Sequence, residues 1–212
     1  MDTQFLKFVN RHQLFKNDQK ILLAVSGGID SMVMADLFFN ASIDVAFAHC
    51  NFGLRGEESD ADENFVKRIA DKHSIPIYIE KPDTRYHAAK NKLSIQMAAR
   101  ALRYTWFEQL VETSDFQIYA TAHHFDDQME TFFINLMRGT GISGLGGIPV
   151  KNGNCIRPML FADREMINNR AQQKGIEYRE DSSNQSDNYL RNKIRHRVLP
   201  ALNEAKENYK SG

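Results

Sequence analysis

Four short apolar runs punctuate the first half of the chain: KILLAVS (20–26), IDVAFAH (43–49), IPIYIE (75–80) and FQIYATA (116–122). Each is bounded by polar or turn residues and is mostly rich in β-branched or aromatic side chains, so each predicts a buried strand. Between the runs the apolar period lengthens. DSMVMADLFFN (30–40), ESDADENFVKRIADKH (58–73) and LSIQMAARALRYTWFEQLVE (93–112) read as helices. In the last, Ile95, Ala98, Ala99, Leu102, Trp106 and Leu110 recur at helical spacing as one apolar stripe. Strands alternating with helices predict an α/β fold, a parallel sheet with helices on both faces. Ligands of such sheets sit beyond the carboxyl ends of the strands, so the loops after Val25, Ala48 and Ala122 face the expected site.

A glycine-rich stretch, RGTGISGLGGIP (138–149), interrupts the alternation. Beyond it, RPMLFADREMINNRAQQKGIEYRED (157–181) reads as mostly helical, DSSNQSDN (181–188) is polar, and NYLRNKIRHRVLPALNEA (188–205) is a basic helix. The expected organisation is one α/β domain over residues 1–150 and a C-terminal helical extension over 151–212.

Composition narrows the classes. With 212 residues, 42% of them hydrophobic, the chain can bury one substantial core. Lys+Arg and Asp+Glu both count 27, so any nucleic-acid role must rest on a local basic patch and not on a general field. Cys50 and Cys155 form no CxxC and predict neither a disulfide framework nor a zinc site. No signal-like start or spanning apolar run is present, and the expected setting is cytoplasmic, without a membrane.

The first strand runs directly into SGGIDS (26–31). A nucleotide loop of the GxxxxGK[ST] kind needs a lysine that is missing here, and GxGxxG fails as well. What remains is a strand-to-helix junction with two adjacent glycines. Gly27 and Gly28 allow positive φ and a nest of N–H groups, with Ile29 opening a helix whose positive end adds to it. Ser26 and Ser31 offer hydroxyls. Asp30 cannot face a phosphate bare, so a Mg²⁺ between them is the natural resolution. SGG alone would equally suit an ordinary turn; the two serines and the aspartate after the first strand favour phosphate. SGGIDS resembles the signature of the PP-loop (N-type) ATP pyrophosphatases. That resemblance implies a Rossmann-like, adenine nucleotide alpha hydrolase-like sheet and ATP as substrate, split to AMP and pyrophosphate.

Two further stretches lie at strand ends. In AHCNFGLRGEESDADE (48–63), Arg55 sits in a loop facing the expected phosphates, and Ala48 and His49 are placed to hold adenine through the backbone. His49 could equally be a satisfied core histidine, and Glu57, Glu58 and Asp60 suit a helix start. In ATAHHFDDQMET (120–131), a helix is expected from near Phe125, with Asp126 and Glu130 as i,i+4 neighbours and Asp127 on an adjacent face. His123 stands one turn before Asp127, and Gly139 is the expected terminator. An acidic helix start accounts for one acid but not for the whole cluster. Clustered His and Asp also serve metal phosphohydrolases, although no further histidines are spaced to complete such a site.

SGGIDS, HCNFGLRGEESD, AARALRY, ATAHHFDDQMET with RGTGISGLGGI, RPML, and EDSSN followed by RNKIRHRVLP together resemble the tRNA(Ile)-lysidine synthetase family. The resemblance implies ligation of L-lysine to C2 of the wobble cytidine in isoleucine tRNA with a CAU anticodon, through an adenylated cytidine. It implies Asp30, Asp126, Asp127, Glu130 and Arg100 as catalytic residues, with Mg²⁺ on Asp30 and on Asp127 or its neighbour Asp126, and lysine recognition left open among Asp126, Asp127 and Glu130. ATP would be held by Ser26 to Ser31, Ala48, His49, Arg55, His123 and Arg138, and tRNA by Arg191, Lys193, Arg195 and Arg197. A homodimer is also implied. Two departures stand out: Gln96 occupies a position where relatives often carry glutamate, and relatives continue past YKSG, so this is expected to be an excised catalytic domain. The competing readings are another PP-loop adenylating enzyme, such as a tRNA thiolase or a GMP- or NAD-forming synthetase, and a non-catalytic nucleotide- or tRNA-binding module. Thiolation would favour paired cysteines. A non-catalytic module would have lost Asp30 or the Asp-Asp-Glu set.

Overall fold

The computed structural model describes residues 1–16, 18–180 and 190–205. An amphipathic helix α1 (Asp2–His12) leads into β1 (Ile21–Ala24), α2 (Ile29–Asn40), β2 (Val45–Cys50), α3 (Glu57–Lys72) and β3 (Ile77–Glu80). Next come α4 (Thr84–Asn91), α5 (Ile95–Thr113), β4 (Ile118–Ala120) and α6 (Phe125–Met137). A 3₁₀ turn (Ile142–Gly146), the two-residue strands β5 (Lys151–Asn152) and β6 (Cys155–Ile156), and α7 (Arg164–Lys174) follow. The last described segment is α8 (Leu190–Lys193), a π-helical turn (Ile194–Val198) and α9 (Leu199–Ala205).

The sheet runs β3-β2-β1-β4-β6-β5, parallel throughout except for the β5–β6 hairpin at its edge. All four expected strands are present, and the period-2 alternation sorts their residues onto two faces. Ile21, Leu23, Val45, Phe47, Ile118 and Ala120 enter one core with α2, α3 and α7. Leu22, Ala46, Ala48 and Tyr119 enter the other, under Phe107 of α5. This is the expected helix–sheet–helix layering.

Several elements differ from the reading of the sequence. Helix α1 was not expected, although Phe5 and Val9, one turn apart, are both buried, and Phe5 meets Phe38 edge-on at 5.2 Å. Helix α4 was also missed; Asp83 caps it by accepting from Tyr86 N–H. The stripe on α5 buries Ala98 and Ala99, but Ile95 is exposed and Phe107 takes the deepest place. Residues 157–181 are helical only from Arg164, because Asp163 caps that helix and Met159 bridges in parallel to His124. The strands at 151–156, just past the boundary expected near residue 150, belong to the same sheet. The polar stretch 181–188 lies outside the described residues.

Charged clasps hold the layers in register. Arg170 of α7, buried, reaches Asp2 of α1 at 2.6 and 2.8 Å and Asp36 of α2 at 2.7 Å. Glu63 of α3, also buried, accepts from Asn51 (2.7 Å), Lys67 (2.8 Å) and Lys81 (2.7 Å), fixing the connection after β2. Burial alone would raise the Glu63 carboxyl, but the two ammoniums and the Asn51 amide outweigh it and hold it down to about 2. A depressed folded pKa stabilises fully above the ordinary value of 4.5, and that stabilisation is lost as pH falls from 4.5 towards 2. We therefore expect the urea midpoint of Glu63→Gln to be lower than the parent's at neutral pH and to fall less steeply through that acid window. Parallel slopes for the two proteins would contradict the clasp.

Candidate active site

Strand β1 pairs with β2 on one side and β4 on the other, so the chain leaves β1 and β4 in opposite directions. Such a switch point opens a crevice at the carboxyl ends of the strands. Here the crevice is a cavity of about 250 Å³ lined by Val25, Ser26, Asp30, Ser31, Ala48, His123 and Asp127, among others. It adjoins a larger cavity of about 600 Å³, and Ser26, Cys50, Arg100 and Arg103 line both. His49, Arg55 and Gln96 border the larger one.

The glycine loop is built around one hydroxyl. Ser31 Oγ accepts from the N–H groups of Ser26 and Gly27, both at 3.2 Å, and donates to Gly28 O at 2.9 Å. Ser31 is buried in this role, whereas Ser26 is exposed at the cavity. Only Gly27 takes positive φ (+92); there a Cβ would meet Phe65 at 3.3 Å and Val66 at 3.4 Å on α3. Gly28 lies at φ −74 and serves as the N-cap of α2, so of the two glycines only Gly27 uses the freedom to take positive φ. Arg179 N–H donates to Gly27 O at 2.9 Å, tying the loop to the segment after α7.

The acids of α6 are distributed differently from their expected pairing. Asp126 turns away from Glu130 and accepts from the backbone N–H of Arg164 at 2.7 Å. Asp127 and Glu130 share a face instead. Asp127 accepts from the N–H of His124 at 3.0 Å and caps the helix. Two arginines, one turn apart, then cover both acids. Arg191 donates to Glu130 at 2.6 Å and to Asp127 at 3.4 Å, while Arg195 donates to Glu130 at 2.5 Å with its Nη2 3.6 Å from Asp127. Glu130 is fully buried beneath them. Burial would raise the Asp127 carboxyl, but His124, His123 and Arg191 hold it below the usual range. His123, with Nδ1 2.9 Å from Thr121 Oγ1, is pushed down to about 4, chiefly by burial, and is neutral at physiological pH.

Among the remaining expected residues, Arg100 stands over Tyr104 at 4.7 Å and reaches both cavities. Arg55 pairs with Asp62 at 2.6 Å. His49 is buried, with Nδ1 2.8 Å from Val25 O and Nε2 without a hydrogen-bond partner among the described residues. Arg138 is not brought in: it ends α6, roughly 16 Å along the axis from Asp127, and lines neither cavity. Lys193 and Arg197 are exposed on the C-terminal helix. Two residues went unnoticed in the sequence. Gln128 pins the glycine-rich stretch by donating to Gly146 O (3.1 Å) and accepting from Ile148 N–H (2.6 Å). Arg164, at the start of α7, grips Asp30 with both guanidinium nitrogens.

A strand-end glycine loop without a lysine, beside a cavity at a parallel-sheet switch point, defines a PP-loop protein, and the PP-loop domain model matches residues 1–202. The tRNA(Ile)-lysidine synthase of Bacteroides thetaiotaomicron is 43% identical over 97% of this chain and 48% of its own length. That of Petrotoga mobilis is 39% identical over 99% of this chain and 68% of its own. The chain belongs to the PP-loop family and, within it, to the tRNA(Ile)-lysidine synthase family. It spans about half the length of several curated relatives, 44 to 48% for the first three. The U34-tRNA thiolase NcsA from Methanococcus maripaludis matches with a TM-score of 0.78 over 96% of this chain and 72% of its own, at 19% identity, and shows the shared fold.

The two glycines of the loop should respond differently to a methyl group. Gly27→Ala forces an L side chain into positive φ against α3 and is expected to cost about 1–3 kcal/mol in urea denaturation. Gly28→Ala meets only Ser26 Oγ, at 3.5 Å, and is expected to stay within about 0.5 kcal/mol of the parent. Equal costs would contradict the loop geometry.

Proposed function

We propose that this domain uses ATP to adenylate O2 of the wobble cytidine in isoleucine tRNA with a CAU anticodon, and then joins the ε-amine of L-lysine to C2. Pyrophosphate leaves in the first step and AMP in the second, giving lysidine, in the cytoplasm. The observation that carries this reading is the pair of joined cavities. One holds the glycine loop and Asp127, and the other has room for a second reactant, with Arg100 in the wall of both.

The first-turn N–H groups of α2 and the exposed Ser26 hydroxyl meet the pyrophosphate, which is where negative charge grows in the first step. Arg100 and Arg55 add cations with donors suited to phosphate oxygens. Asp30 and Asp127 present carboxylate oxygens 3.8 and 3.5 Å from His124 Nε2, and two hard oxygen donors beside substrate phosphates suit Mg²⁺. When bound, Mg²⁺ supplies charge neutralisation for the leaving pyrophosphate.

Asp127 and Glu130 form the cation-binding part of the site. Both now carry guanidiniums of Arg191 and Arg195, and the lysine ammonium would meet the same chemistry by taking a share of it. Exposed Lys193 and Arg197, on the outer side of the same helix, are the residues we assign to the tRNA backbone. Thiolation, as in the thiolase of like fold, finds less support: the Cys50 thiol at the cavity wall is pushed up to about 12 by burial.

ATP–pyrophosphate exchange, followed by transfer of labelled lysine, tests the reading. Exchange should require the CAU transcript, labelled lysine should then appear in RNA, and Asp30→Asn should abolish both while the fold persists. Exchange driven without RNA, or by a small acid, would overturn it in favour of another adenylating activity.

The pH profile gives an independent check. His123 and Asp127 both titrate below the neutral range, so neither changes charge between about pH 6 and 9. The ε-amine, of ordinary pKa about 10.4, is then the group that gains reactivity as pH rises. With RNA and ATP saturating, kcat/KM for lysine should climb with pH across this window. A bell centred near neutrality would assign the proton to a wall group instead.

A further inference from the structure

Arg164 occupies a place that the proposed chemistry leaves unexplained. As the first residue of α7 it is fixed from two sides: Asp163 caps the helix through Met166 N–H at 2.9 Å, and the backbone N–H of Arg164 donates to Asp126 at 2.7 Å. Its guanidinium then reaches 134 residues back in sequence. Nη1 donates to Asp30 Oδ1 at 2.5 Å and Nη2 to Asp30 Oδ2 at 3.2 Å, a two-pronged grip on the carboxylate at the glycine loop. Nη2 also lies 3.0 Å from His124 Nε2. His124 Nδ1, on the other edge of the ring, lies 3.4 Å from Asp126 Oδ2.

Asp30 therefore has its charge balanced from within the chain. Both partners of the pair are one-third exposed, the range in which an ion pair contributes little stability and can be exchanged. A divalent cation and a guanidinium repel each other on one carboxylate, so a cation arriving alone must displace Arg164 with nothing to receive it. Phosphate oxygens suit the arginine fork at least as well as a carboxylate does. We propose that Arg164 is the cation Asp30 holds in the absence of nucleotide and releases to the phosphates when nucleotide binds. Metal binding at Asp30 thereby depends on nucleotide. The proposal rests on the reading of Asp30 as a metal ligand and makes Arg164 a positioning residue that couples two ligands.

Linkage makes the coupling measurable from either ligand. Mn²⁺ serves as the probe, its binding followed by electron paramagnetic resonance with and without α,β-methylene-ATP, which cannot be split between the α and β phosphorus atoms. The parent should hold Mn²⁺ about tenfold or more tighter with the analogue than without it. In Arg164→Gln the affinity without nucleotide should rise severalfold and the ratio should fall by the same factor, leaving only the part that the phosphate oxygens supply by ligating the metal themselves. Arg164→Lys, with a single-point cation, should give a ratio between the two and carries the test if the glutamine variant does not fold. A ratio unchanged in the folded variants would overturn the exchange and leave Arg164 as a structural tie. Asp30→Asn separates this from the underlying reading. Loss of analogue-dependent Mn²⁺ in that variant upholds Asp30 as the ligand whatever Arg164 does, whereas its retention would remove the metal assignment and the exchange with it.

Discussion

The position of β1 constrains everything else in the molecule. It is the strand on which the chain turns from one side of the sheet to the other, so its two neighbours send their connections apart. Only there does a parallel sheet leave a gap between adjacent loops that no side chain from the strands can fill. The glycine loop, the His-Asp-Asp cluster and the wall of α5 converge because each follows or overlies a strand next to that gap. The two cores on either side of the sheet hold the strands flat enough for the gap to keep its shape.

Charge at and behind the gap follows one pattern among the described residues: the acids Asp30, Asp126, Asp127 and Glu130 each have an arginine side chain or backbone N–H from far along the chain. Asp30 has Arg164, Asp126 has the N–H of Arg164, and Asp127 and Glu130 have Arg191 and Arg195. An acid buried as fully as Glu130 would otherwise be driven to hold its proton. These pairings balance the acids from within the chain. They also mean that each ligand enters by exchange with a resident partner and not by filling an empty charge.

Local features of the site were legible in the sequence because their physics is local. SGGIDS follows a strand and opens a helix, and both facts can be read within a dozen residues. The four main strands and their two-faced alternation followed from the same short-range pattern. What escaped was long-range. Periodicity placed Asp126 beside Glu130, but the partners that decide which acid faces which way are Arg164 and Arg191, and nothing in a helical repeat announces them. Arg164 reads in sequence as an ordinary charge in a helix's first turn. Arg138 was expected at the phosphates on residue type and resemblance, and the length of α6 carries it away. Strands of two residues, such as those at 151 and 155, are too short for any alternation to register. Helix α1 did carry its signal, in the spacing of Phe5 and Val9.

The Arg170 clasp ties a residue near the start of the chain to one 168 positions later. During synthesis α1 emerges first and waits for most of the domain before its acid finds a partner. The same holds for Asp30, whose arginine follows 134 residues behind. A nascent chain that has produced β1 to β4 and the glycine loop still carries an uncompensated carboxylate at its centre, and its partner comes only with the start of α7.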